Sequence, residues 1–130
     1  MQATGEFEVN LKPLDTYAKG GEGAGLGRMS IDKTFYGDLV ATSQGEMLTA
    51  MTGVEGSAGY VAIEQVSGAL QGKLGTFVLQ HFGLANRGKN SLILEVVHDS
   101  GTGELVNLSG EMSIKIEGGK HLYVFDYTLG

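Results

Sequence analysis

Glu64 and His81 are the residues whose types and placement in the sequence could support acid–base chemistry. Between them, Leu70-Gln71-Gly72-Lys73 reads as a tight hairpin. Whether its two-residue turn is Gln71-Gly72 or Gly72-Lys73, the numbers of paired positions sum to an odd value. Tyr60, Ala62, Glu64 and Val66 then share a face with Phe77, Leu79 and His81, and Glu64 and His81 lie opposite or diagonally opposite each other. In an apolar setting, desolvation and mutual charge shift both ionisations and make the pair an acid–base couple, with the Tyr60 hydroxyl alongside. A plainer reading competes: the two side chains satisfy each other's hydrogen bonds, or the whole face points outward into a subunit contact.

The other patterns that invite chemistry are weaker. His81, His98 and His121 fall in no metal-ligand spacing, and no metal site is expected; His98-Asp99 reads as a surface polar pair. Gly83 to Asn90, GLANRGKN, follows the phosphate-loop pattern as far as its lysine but places Asn90 where a magnesium-binding Ser or Thr belongs. A strand follows it, so no helix N-terminus would support a phosphate. No GxSxG elbow is present, and zero cysteines remove thiol nucleophiles, disulfides and iron–sulfur ligation together. Met47 and Met51 share one strand face as adaptable apolar filler, and Met47 suits the lining of an apolar cavity. No cofactor is expected.

The elements that must position Glu64 and His81 are strands. The chain has 130 residues, 22 of them glycine and one proline, and the glycines punctuate short stretches rich in Val, Ile, Leu, Phe, Tyr and Thr. Glu6 to Lys12 alternates apolar with polar residues and predicts a first strand that Pro13 ends. Lys19 to Gly27, KGGEGAGLG, reads as a mobile loop that can act as a lid. Further strands are predicted over Arg28 to Tyr36, Asp38 to Thr52 with a bend at Gly45, and Gly59 to Leu70. Leu74 to Phe82, Ser91 to His98 after the turn Ala85 to Lys89, Met112 to Glu117, and His121 to Leu129 complete eight. Eight strands in consecutive hairpins with no covering helix leave two open edges unless the sheet closes. The predicted fold is therefore one all-β domain over residues 1–130, a closed, eight-stranded, mainly antiparallel barrel. Leu92, Leu94 and Val96 extend its apolar inner face.

Composition narrows the function classes. Nine basic residues against fifteen acidic give a formal net charge of −6, a field that repels nucleic acid and anionic membranes. Neither partner is expected, and the absence of a leader-like or 18-residue apolar run predicts a soluble, cytoplasmic product. Thr76 to Leu79, Leu92 to Val97 and Leu122 to Phe125 are apolar on both faces, which predicts a homo-oligomer with part of the outer wall covered by another subunit.

Several stretches resemble a small bacterial family of proteins of unknown function: Lys33 to Leu39 (KTFYGDL), Gly75 to Gly83 (GTFVLQHFG), Ser100 to Leu105 (SGTGEL) with Leu108 to Gly110, and Tyr123 to Leu129 (YVFDYTL). The resemblance covers nearly the whole chain and implies a barrel of the allene oxide cyclase type, calycin-like in appearance. The turn Gly101-Thr102-Gly103 is similar to one that starts a late barrel strand in allene oxide cyclases and dirigent proteins. The resemblance implies an oligomer but carries no reaction, because its short motif is glycine punctuation. The sequence favours a barrel that binds a small apolar molecule, with Tyr60, Glu64, Phe77, Leu79, His81 and Met47 around it. An isomerase, cyclase or lyase using Glu64 and His81 is the first alternative, and a solidly packed structural oligomer the second.

Overall fold

A computed structural model describes the whole chain, Met1–Gly130, as a single antiparallel sheet rolled shut. Its strands are β1 (Gln2–Leu14), β2 (Gly20–Gly21), β3 (Ala24–Gly37), β4 (Leu39–Thr52), β5 (Ala58–Leu70), β6 (Lys73–Asn86), β7 (Lys89–Val96), β8 (Ser109–Glu117) and β9 (Lys120–Thr128). The lateral order is β1-β9-β8-β7-β6-β5-β4-β3, and β1 pairs again with β3. Eight strands therefore close the barrel, and the two-residue β2 hangs on β3 as an extra. Closure gives each of the eight long strands a partner on both sides for part of its length, with β7 and β8 left largely unpaired where they face each other. No helix is long and apolar enough to cross a membrane.

Turn chemistry fixes the register. Gln71-Gly72, Arg87-Gly88 and Gly118-Gly119 each present two consecutive residues with positive φ, the backbone of a tight hairpin whose twist matches that of its strands. Through Gln71-Gly72, Val66 pairs with Phe77, Glu64 with Leu79 and Ala62 with His81, the odd-sum register the sequence predicts. Inner residues alternate with outer ones along every long strand, as in Leu39, Ala41, Ser43, Gly45 and Met47 of β4.

Four expectations about the elements need correction. Pro13 does not end β1, which runs one residue further and pairs Pro13 with Met29. Beyond Phe7, β1 has β3 on one side only, so a residue without an N–H is tolerated there. Lys19 to Gly27 is not a free loop: Gly20 and Gly21 pair with Gly25 and Ala24 around the turn Glu22-Gly23. Gly45 lies in an uninterrupted β4. A Cβ there would come within 2.1 Å of the Ile63 carbonyl oxygen, so the glycine serves the close approach of β5. Last, β7 and β8 are not joined by a hairpin. The segment after β7 folds across the end of the barrel through the 3-10 turn Gly103–Leu105, and β8 meets β7 only at Glu95 and Glu111.

That crossing segment plugs one end. Leu105 and Leu108 are buried in the same apolar cluster as Phe35, Phe77, Tyr123 and Phe125, and Thr102 hydrogen-bonds Thr76 to hold the plug against β6. Phe77 stacks on Phe125 at 5.8 Å between ring centres. The barrel is thus packed solid from this end to its middle. At its other end the strands open around a cavity.

Candidate functional site

A fully buried carboxylate sits where the packed half meets the cavity. Glu64 has 0% exposure, and three donors from three other strands converge on it. The Lys33 ammonium of β3 donates to Oε2 at 2.8 Å, the Ser43 hydroxyl of β4 donates to Oε1 at 2.7 Å, and His81 Nε2 of β6 lies 2.5 Å from Oε2. An ionised carboxylate can only accept, so Nε2 carries the proton of that last bond. Burial pushes the Glu64 carboxyl up. The His81 hydrogen bond and the charge and hydrogen bond of Lys33 outweigh it and hold the group down at about 2. The carboxylate is charged throughout the neutral range.

Local sequence explains each placement. Ile31, Lys33 and Phe35 face inward on β3 while Asp32, Thr34 and Tyr36 face outward, which turns a lysine onto a dry face. Its charge is stabilised by Glu64 and by the Phe7 ring, whose centre lies 4.8 Å from Nζ. Small inner residues on β4, Ala41, Ser43 and Gly45, leave the width that Lys33 and Glu64 need. Every buried side-chain polar atom of the chain is satisfied.

Above this cluster lies a cavity of about 450 Å³. Phe7, Ile31, Met47, Tyr60, Leu92 and Ile116 are among the residues of its apolar wall, and Lys33, His81, His121, Asn90 and Ser91 line it as well. Glu64 does not line it, nor does any other Asp or Glu. His81 Nδ1 has no protein partner and yet is not a sealed-off atom, so it keeps accessible surface at the cavity floor. The Tyr60 phenol, 6.3 Å from the His81 ring between centres, is held protonated because burial and the charge of Glu64 both raise its pKa.

Of the residues the sequence singles out, Tyr60, His81 and Met47 border the cavity, and Glu64 lies directly beneath it. Phe77 and Leu79 belong to the solid half of the barrel. Lys33, Ser43 and His121 join the site without having been singled out. The alternation of Ile31, Lys33 and Phe35 is the signal that identifies Lys33. No three His, Asp or Glu side chains converge as a metal would require. A second groove, about 650 Å³, lies outside the barrel against Leu26, Leu48, Val61, Phe82 and Tyr17. It contains no buried charge.

Comparison with known proteins places the chain without naming an activity. No curated protein matches it. A crystal structure of a protein of unknown function from Shewanella oneidensis MR-1, at 1.84 Å resolution, is 58% identical. It superposes with a TM-score of 0.98 over 100% of this chain and 97% of that one. The sequence profile described as "Protein of unknown function (DUF3224)" matches residues 3–127, and the chain belongs to the DUF3224 family.

Proposed function

We propose that the protein binds a small, largely apolar molecule inside its barrel. One observation carries the reading: the barrel is packed solid on one side of the Lys33–Glu64–His81 cluster and hollow on the other, with a 450 Å³ space in the range of small-molecule sites. Apolar walls supply the affinity, and the few polar groups at the floor fix orientation. Glu64 acts here as a positioning residue that holds Lys33 and His81 in place. An acid–base enzyme would need Glu64 to exchange protons with a substrate, and its burial and low pKa favour passive binding over that alternative. The turn Gly101-Thr102-Gly103 and the eight antiparallel strands support a barrel of the allene oxide cyclase type; no activity follows from that likeness.

The test uses N-phenyl-1-naphthylamine, a neutral apolar fluorophore. Its emission should rise on binding to the native protein and stay at the free-dye level with Met47→Trp, which fills the cavity without touching Glu64. Equal enhancement by both proteins would place the dye elsewhere and overturn the reading.

A second reading, self-association, is favoured by the outer wall. Leu48, Val61, Phe82 and Ile93 pair side by side across β4, β5, β6 and β7, all facing outward and roughly half exposed. Four adjacent strands carry this row about 15 Å around the barrel. A second copy of the chain is the partner we infer, because an apolar row on one wall can pair with its own two-fold copy, and three of its residues also line the outer groove beside Leu26 and Tyr17.

A further inference from the structure

The floor of the cavity presents the Lys33 ammonium and no carboxylate, with His81, Asn90 and Ser91 as further polar lining. Lys33 Nζ carries three N–H groups and gives one to Glu64. His81 gives Nε2–H to the same carboxylate oxygen and keeps Nδ1 at the cavity surface. His121 stands in the wall 5.1 Å from the Phe7 ring between centres, and the Tyr60 hydroxyl adds another donor. The protein has fifteen carboxylates against nine basic side chains, but none of the fifteen lines this space. The one carboxylate nearby, Glu64, lies behind its donors at 0% exposure and so meets no ligand directly.

We infer that the molecule held in the barrel is an organic monoanion, a carboxylate on a compact apolar body, with its head group on Lys33 and its body toward the mouth. The inference rests on the binding reading above and adds the charge of the ligand to it. A second carboxylate on Lys33 takes up N–H groups that Glu64 leaves free. A neutral ligand would leave those donors poorly paired, and a cation would meet the Lys33 charge in a desolvated place.

Three probes of one skeleton separate the charge from the shape: 4-phenylbutyrate, 4-phenylbutan-1-ol and 4-phenylbutylammonium, each displacing N-phenyl-1-naphthylamine from the native protein at neutral pH. The carboxylate should bind at least tenfold more tightly than the alcohol, and the ammonium most weakly. If the alcohol matches or exceeds the carboxylate, the cavity binds but the anion assignment is overturned. If the dye itself does not bind, the cavity reading falls, and this inference with it. Lys33→Met alone leaves Glu64 as a buried unpaired charge and can fail to fold. The variant to use is therefore the double substitution Lys33→Met with Glu64→Gln, which removes both charges and keeps their volumes. In that protein, folded by its circular dichroism, the preference for carboxylate over alcohol should vanish. A preference that survives would put the head group elsewhere.

Discussion

Glu64 is the residue on which the interior depends. Its carboxylate satisfies three donors at once, so removing the charge costs more than one hydrogen bond: it leaves the Lys33 ammonium buried without a counter-ion. Glu64→Gln should lower unfolding free energy by about 3 kcal/mol or more, read as a shift in the urea midpoint at unchanged slope. The pH dependence has a definite direction. The folded carboxyl, held at about 2, binds its proton more weakly than the unfolded one near 4.5. As pH falls the unfolded chain is protonated first, so the stabilisation is complete above about pH 4.5 and drains away toward pH 2. Chemical denaturation between pH 6 and pH 2.5 should show native stability dropping by a few kcal/mol more than that of Glu64→Gln; parallel curves would contradict it.

Among the elements, the β4–β5 and β5–β6 pairs decide where the site lies. Gly45 lets β5 approach β4 beside Glu64, and Gly83 leaves room for the Tyr60 ring that lies across it, since a Cβ there would come within 2.2 Å of a ring carbon. The two glycines differ in what they face. At Gly45 the obstacle is backbone, so Gly45→Ala should force the strands apart and cost about 2 kcal/mol or more in denaturant unfolding. At Gly83 the obstacle is a side chain able to rotate, so Gly83→Ala should cost less stability than Gly45→Ala while weakening N-phenyl-1-naphthylamine binding through the displaced Tyr60. A larger stability loss at Gly83 than at Gly45 would reverse this account. The hairpin Gln71-Gly72 made the face shared by Tyr60, Glu64 and His81 legible from sequence, because a two-residue turn leaves only one parity. Lys33 was legible only as a parity on its own strand. Its meeting with Glu64 spans β3, β4 and β5, and no single turn specifies it.

For the whole molecule, closure is the controlling event. β1 pairs with β9 through Phe7 and His121 and with β3 through Phe7 and Phe35, so the first strand joins the last to the third and seals the wall. The Tyr123 hydroxyl donates to the Tyr36 carbonyl at 2.9 Å and accepts the Leu39 N–H at 2.9 Å, tying β9 to the β3–β4 corner across that seam. Outside the ring, Leu48, Val61, Phe82 and Ile93 form one continuous row among the exposed apolar side chains. Light scattering should report a dimer or larger assembly for the native protein and a smaller species for the double variant Val61→Glu, Phe82→Glu at equal concentration. A native monomer from micromolar to millimolar concentration would remove the self-association reading.

The amino-acid order alone specifies the local content of this fold. Alternation gives strands, positive-φ pairs such as Gln71-Gly72 give hairpins and their register, and the want of a covering helix demands closure. These features rest on contacts between residues near in sequence or on a simple accounting of edges. The plug of Leu105 and Leu108, the solid half around Phe77 and Leu79, and the gathering of Lys33, Ser43 and His81 around Glu64 were decided only in three dimensions. They depend on how far each strand is staggered against its neighbours around a closed ring, a sum over every pairing, and on which side chains then meet across the interior.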